Sequence, residues 1–149
     1  MTISRSTLCI CYALIGALAF VGTWGNVLDL LQEQGFLQGT LHFWQQALVN
    51  GPSRFITVDL LFLGLSVTVW MLLEARRLAI PGVWLYVLFG LLIAISLAVP
   101  LFLIHREKRL AALEPGSTAG TLRTLDLLGL GLLALACTAF AILALTLTP

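Results

Sequence analysis

Four long stretches of the chain are almost free of charged residues and are separated by more polar segments. Residues 8–24 and 83–104 contain no charge, whereas residues 55–73 and 125–147 contain one each, Asp59 and Asp126. A helix needs about 20 mainly apolar residues to cross the hydrocarbon core of a bilayer. Inside lipid every backbone polar group needs an internal partner, so each stretch is expected to be a helix. The pattern predicts an all-α polytopic membrane protein with four transmembrane helices.

The segment between the first two stretches predicts a shorter helix of a different kind. Its apolar residues recur at helical spacing, at Leu37, Leu41, Trp44 and Leu48. This spacing places one apolar stripe opposite the glutamines. A helix with this pattern lies in the membrane interface, with its aromatic side chains at headgroup level. We expect this interfacial helix over residues 36–49, and Ser53 as the N-cap of the next membrane helix.

The composition agrees with a membrane protein. Hydrophobic residues make up 60% of the chain and charged residues 10%, and the mean hydropathy is +1.03. Soluble domains contain about 45–50% apolar and roughly 25% charged residues. The formal net charge of +1 is too small to attract nucleic acid. Since no repeat or low-complexity tract interrupts the chain, residues 1–149 are expected to form a single membrane domain.

The distribution of basic residues leaves the orientation open when four crossings are assumed. The amino terminus, the second connection and the carboxyl terminus then share a side with three basic residues, Arg5, Arg76 and Arg77. The other side holds five basic residues, namely Arg54, Arg106, Lys108, Arg109 and Arg123. Five against three favours both termini outside only slightly, because basic clusters occur on both sides.

Asp59 is the polar residue that the membrane tolerates least. A carboxylate at the centre of a membrane helix costs roughly 2.5–3.5 kcal/mol on insertion scales. Asp59 is therefore a candidate general acid, proton carrier or ligand anchor. The alternative is a structural role, in which Asp59 pairs with Arg54 or Arg123, or forms a hydrogen bond with a neighbouring helix, and fixes the packing.

Glu74 is the second catalytic candidate, and it lies roughly 22 Å along the same helix from Asp59. It belongs to the sequence Glu74-Ala75-Arg76-Arg77, where an arginine can pair with the carboxylate at the interface. Two adjacent arginines also suit an anionic lipid headgroup. The candidate contacts with a lipid or another ligand are Asn50, Arg54, Ser66, Trp70, Arg76 and Arg77.

The sequence contains no set of metal ligands and no cofactor motif. His42 and His105 have no ligand partner three or four residues away, and Cys9 and Cys11 point about 200° apart on a helix. A phosphate-binding glycine loop and a nucleophile elbow are also missing. We expect neither a metal nor a cofactor.

Two features concern packing. Pro100 removes one helical hydrogen bond and frees the carbonyl group of Ser96, which kinks a helix. The last apolar stretch is rich in glycine and alanine, which let helices approach closely. This stretch is expected to pack inside the bundle or against another protomer.

Several polar and aromatic residues occur in a familiar order. They are Phe43-Trp44, Asn50, Ser53, Asp59-Leu60, Glu74-x-Arg76-Arg77-Leu78, Trp84, Ser96, Pro100-Leu101-Phe102-Leu103 and Arg106-Glu107. This order resembles a bacterial family of small integral membrane proteins that is catalogued only as a domain of unknown function. The resemblance covers residues 8–109 and implies a membrane location, no established activity, and a three-span core to which the last helix is an addition.

A fainter similarity links the chain to small integral membrane terpene cyclases. That similarity implies that Asp59 and Glu74 act as general acids on a prenyl substrate. Because the two carboxylates are about 22 Å apart, they could not act on the same atom.

Three functions are therefore open. The first is a non-enzymatic accessory, structural or lipid-binding membrane subunit. The second is a membrane enzyme that acts on a lipid or isoprenoid with Asp59 as general acid, and the third is a proton-coupled carrier formed by a dimer around Asp59. The expected partners are membrane lipids and either a second copy or a larger membrane complex, without nucleic acid. Helical spans favour the bacterial inner membrane.

Overall fold

The computed structural model describes residues 2–146, and they are almost entirely helical. The helices are α1 (Arg5–Trp24), α2 (Leu28–Gln34), α3 (Phe36–Ala47), α4 (Gly51–Arg77), α5 (Val83–Phe89), a π-helical turn (Gly90–Ala94), α6 (Ile95–Leu113) and α7 (Thr124–Thr146). Four helical segments are long and apolar enough to cross a membrane: Arg5–Trp24, Gly51–Arg77, Val83–Leu113 and Thr124–Thr146. The predicted all-α polytopic fold class is confirmed, and the protein is an integral membrane protein.

Polar side chains cap the starts of two of the long helices, α1 and α4. The hydroxyl of Ser4 accepts a hydrogen bond from the Thr7 amide, 3.0 Å away, and α1 begins at the following residue. At α4 the side chain of Asn50 accepts from the Ser53 amide at 2.9 Å. Such caps satisfy amide groups that have no partner within the helix. The prediction of Ser53 as N-cap was therefore wrong by one turn, and Asn50 has this role.

The third apolar segment doubles back on itself instead of running straight. The Tyr86 hydroxyl lies 2.9 Å from Nδ1 of His105, and the ring centroids of Tyr86 and Phe102 are 5.7 Å apart. In a straight helix, residues 86 and 102 would be separated by about 24 Å. The chain reverses at Ala94, whose backbone is extended, with φ −166° and ψ 124°. We call α5, the π-helical turn and α6 together the hairpin.

Contacts with α1 show how far along that helix the hairpin extends. A Cβ atom on Gly16 would lie 3.2 Å from Leu97 and 3.3 Å from Pro100, so α1 and α6 approach closely there. Near the reversal, the Trp24 indole donates to the carbonyl oxygen of Ile93, at 3.3 Å. Helix α6 therefore runs antiparallel to α1, and Pro100 lies in this contact.

Helix α4 runs in the same direction as α6 on another side of the hairpin. A Cβ on Gly64 would lie 3.0 Å from Cδ1 of Ile95, and the Trp70 and Phe102 rings meet edge to face at 5.8 Å. The residues of α4 before Gly64 thus extend beyond the reversal, toward α3. The hydroxyl of Thr57 in this part of α4 donates to the carbonyl of Ala47, at 3.2 Å.

A short sheet fixes where α7 begins. The strands β1 (Thr2–Ile3) and β2 (Gly120–Thr121) pair antiparallel, which holds the connection between α6 and α7 beside the start of α1. Helix α7 then runs parallel to α1, with Ala141 close to Gly22. None of the described residues of α7 is buried. The expectation that this helix packs inside the bundle was wrong, whereas its packing against another protomer stays a prediction.

The molecule therefore has two distinct ends. The arginine-rich end, as we call it, contains the starts of α1 and α7, the end of α4 and both ends of the hairpin. The α3 end contains α2, α3 and the start of α4. Four crossings would have placed the α6–α7 connection at the α3 end. Because the hairpin returns, this connection lies at the arginine-rich end.

The buried core is small and lies near the arginine-rich end. It consists of Met71, Ala75, Leu78, Ile80, Val83 and Phe102, from the end of α4, the following turn and the hairpin. Elsewhere most large apolar side chains are exposed, as expected where lipid surrounds the helices. The core therefore joins the hairpin to α4 and leaves most large apolar side chains on the surface of the helices.

Candidate functional site

Five charged side chains form one connected network at the arginine-rich end: Arg77, Glu74, Arg106, Glu107 and Arg5. Glu74 accepts from Nη2 of Arg77 at 2.6 Å and from Nε of Arg106 at 2.7 Å. A second bond from Arg77, at 2.7 Å, occupies the other carboxylate oxygen. The predicted pairing of Glu74 with a neighbouring arginine is confirmed for Arg77. Both oxygens of Glu74 are thus occupied by Arg77 of the same helix, and the bond from Arg106 links α4 to α6.

Glu107 continues the network toward α1. Its side chain is 2% exposed and accepts from Arg106 and from Nη1 of Arg5, the latter at 2.6 Å. Arg5 also donates to the hydroxyl of Ser117, at 2.9 Å, in the α6–α7 connection. Buried carboxylates need such partners, because an uncompensated charge away from water is costly. The network therefore ties α1, α4, α6 and the α6–α7 connection into one unit.

Asp59 lies outside this network. It is exposed on α4, and within residues 2–146 its side chain makes no hydrogen bond or ion pair. Arg54 instead donates to the carbonyl of Leu48, at 3.1 Å, and Arg123 lies at the opposite end of the molecule. The predicted pairing of Asp59 with Arg54 or Arg123 was therefore wrong.

The other predicted contact residues are spread over both ends. Ser66 donates to the carbonyl of Phe62 in its own helix, at 2.9 Å. Trp70 packs edge to face against Phe102, as described above. Arg76 is exposed at the arginine-rich end, and its side chain has no hydrogen bond or ion pair among the described residues. Of the eight residues proposed from sequence, the structure gathers Glu74, Arg76 and Arg77 at one end and leaves Asn50, Arg54 and Asp59 toward the other.

An apolar groove with a volume of about 330 Å³ runs between α3, α4 and the hairpin. Trp44 lines it from α3, Leu65 and Thr68 from α4, and Tyr86 and Leu91 from the hairpin. Thr68, Tyr86 and the indole of Trp44 supply the polar groups of this lining. The Tyr86 hydroxyl is already bonded to His105. The groove can accordingly take an elongated apolar ligand and offers few hydrogen bonds to it.

None of the eight residues proposed from sequence belongs to the lining of this groove. Asp59 lies about 140° around α4 from Gly64, which does line it. The signal for the groove was present in small residues at Gly64, Gly90 and Ala98, which leave space between packed helices. That signal could not be recognised from the sequence, because the reversal that faces Gly90 toward Ala98 was not predicted.

Comparison with known proteins gives a family and no activity. Residues 11–108 match the family described as "Protein of unknown function DUF2834", which agrees with the resemblance predicted over residues 8–109. The match covers about two thirds of the chain, from α1 into α6, and leaves α7 outside. No curated protein and no solved structure matches, so the similarity to terpene cyclases stays a prediction. The chain belongs to the DUF2834 family of proteins of unknown function.

Proposed function

We propose that the protein is a non-enzymatic lipid-binding subunit of the bacterial inner membrane, and that its groove holds one hydrocarbon chain of a lipid. The main support for this proposal is the groove, because its lining is apolar along α3, α4 and the hairpin. Its volume of about 330 Å³ is at the lower end of ligand sites, which measure roughly 300–1,000 Å³. This size suits a single chain better than a whole lipid.

The positions of the carboxylates favour binding over acid catalysis. Asp59 faces away from the groove, and both oxygens of Glu74 are bonded to arginines. The described lining contains no carboxylate that could protonate a bound chain. A general acid must come within hydrogen-bond reach of the atom it protonates, and neither candidate does so for a ligand in this groove.

Filling the groove is expected to expel the lipid. Leu65→Trp and, independently, Leu91→Trp place a larger side chain in the lining from two different elements. We expect lipid to bind about tenfold more weakly, a loss of about 1.4 kcal/mol of binding free energy, and native mass spectrometry of the gently purified protein to show reduced lipid occupancy.

Leu63→Trp is the matched control for the groove variants. Leu63 is 57% exposed and Leu65 is 59% exposed, but Leu63 is not part of the lining. Lipid occupancy should therefore stay at the wild-type value in this variant. Equal retention in all three variants would refute the proposal, and a lipid-free protein that purifies with another membrane protein would indicate an accessory subunit instead.

Asp59→Asn separates the proposed function from the two alternatives. Since Asp59 is exposed and unpaired, we expect unfolding free energy within about 0.5 kcal/mol of the wild type and unchanged lipid occupancy. Thermal unfolding in detergent and native mass spectrometry measure the two quantities. Accumulation of a lipidic substrate in cells carrying this variant would support an enzyme. Loss of pH-dependent flux in proteoliposomes would support a carrier.

A further inference from the structure

The reversal at Ala94 gathers nearly all basic side chains at one end of the protein. Seven of the eight lysine and arginine residues lie at the arginine-rich end, namely Arg5, Arg76, Arg77, Arg106, Lys108, Arg109 and Arg123. Arg54, at the start of α4, is the one basic residue at the α3 end. A straight third crossing would have moved four of these seven residues to the opposite side.

Acidic residues do not cancel this asymmetry. The arginine-rich end contains four, Glu74, Glu107, Glu114 and Asp126, and the α3 end contains three, Asp29, Glu33 and Asp59. Seven basic against four acidic groups give +3 at one end, and one against three gives −2 at the other. Together these charges make up the net +1 of the chain. The two faces of the protein therefore differ in the sign of their charge.

Part of the positive charge is available to a partner. Arg5 and Arg106 are engaged with Glu107 and Glu74 in the network. The side chains of Arg76 and Lys108 are exposed and, within the described part of the chain, make no hydrogen bond or ion pair. Arg77 is also largely exposed, although it contacts Glu74. These three cations lie in the charged segments at the end of α4 and in the second half of α6, beyond the apolar part of each helix.

We infer that the arginine-rich end is an interaction surface for the anionic headgroups of the cytoplasmic leaflet, with Arg76, Arg77 and Lys108 as its contacts. Segments rich in lysine and arginine stay on the cytoplasmic side of membrane proteins. The negative surface potential of that leaflet attracts basic groups close to the membrane. The hairpin then enters the bilayer from the cytoplasmic leaflet and returns to it. This inference rests on the charges and on the reversal that gathers them, and it does not depend on the groove.

The test measures which lipids the full chain retains from a defined mixture. Vesicles of phosphatidylglycerol and phosphatidylcholine are solubilised gently, and the ratio of the two lipids bound to the protein is measured by native mass spectrometry. We expect enrichment of phosphatidylglycerol in the wild type. In the double variant Arg76→Gln, Lys108→Gln, the enrichment should fall about fivefold for each charge removed, and added salt should lower it in the wild type.

Arg54→Gln is the control, because it removes a charge from the α3 end and should leave the enrichment unchanged. The inference would be overturned if Arg54→Gln lowered the phosphatidylglycerol enrichment as much as the double variant does. It would also be overturned if the wild type showed no enrichment. Lipid retention without headgroup preference would overturn it while leaving the groove proposal intact. A cysteine at Thr118 that reacts with an impermeant reagent in inside-out vesicles and not from the periplasm confirms the orientation, and the reverse result contradicts it.

Discussion

A cysteine at Thr118 is expected to react from the same side of the membrane as a cysteine at Pro81, and from the side opposite to a cysteine at Gln38. Thr118 lies in the α6–α7 connection, Pro81 between α4 and α5, and Gln38 in α3, and all three are exposed. Because the hairpin returns to the arginine-rich end, the first two positions share a side. The difference in labelling between the two sides is all-or-none, since an impermeant maleimide reaches only the outer face of a sealed vesicle.

The experiment needs a background without the native cysteines, so Cys9, Cys11 and Cys137 are first replaced by alanine. Intact cells and inside-out vesicles are labelled in parallel, and detergent-solubilised protein shows that each introduced thiol can react. If Val83–Leu113 crossed the membrane once, Thr118 would label together with Gln38. That outcome would contradict the hairpin and the gathering of basic residues at one end.

Replacing Glu107 by alanine is expected to destabilise the protein by about 3–5 kcal/mol. Glu107 is 2% exposed and is the acceptor for both Arg5 and Arg106. Its loss leaves two guanidinium groups without their shared carboxylate at the junction of α1 and α6. Unfolding followed by circular dichroism during titration of mixed micelles with sodium dodecyl sulfate measures the change.

Glu114→Ala provides the comparison, because Glu114 approaches the same arginine from the surface. Its side chain is 68% exposed and lies 3.9 Å from Arg5. An exposed pair of this kind contributes at most about 1 kcal/mol. The double variant Arg5→Met, Glu107→Leu should recover part of the stability, since it removes the buried charge together with its partner. Similar losses for Glu107→Ala and Glu114→Ala would show that the network does not hold the helices together.

The two predictions are physically connected. Arg106 and Glu107 lie in α6, after the reversal at Ala94, and their partners Glu74 and Arg5 lie at the arginine-rich end. A straight third crossing would carry Arg106 and Glu107 to the α3 end, away from both partners. The reversal is therefore supported by ion pairs with α1 and α4, together with the packing of Phe102 on Tyr86 and Trp70.

Much of the candidate site could not be predicted because its residues become neighbours only after the reversal. Tyr86 and Phe102 are ordinary members of an apolar stretch until the chain turns at Ala94. The residue with the extended backbone is an alanine, not a proline or glycine, whereas Pro100 lies within a continuous α6. The sequence therefore drew attention to the wrong position for a break. Asp59 was selected as a candidate site residue because it is charged within an apolar stretch, but the groove lies on the other side of α4.

The sequence by itself determined the class of protein, the four apolar helical segments, the amphipathic α3 and the resemblance to a family of unknown function. These features depend on local composition and on the need of each backbone group for a partner in lipid, which do not require knowledge of the neighbours. The tertiary structure alone decided the direction of the third segment, and with it the ion network, the groove and the charge of each face. Hydropathy along a chain has no direction, so a segment that returns and one that crosses look alike until contacts such as Tyr86 with His105 and Glu107 with Arg5 are known.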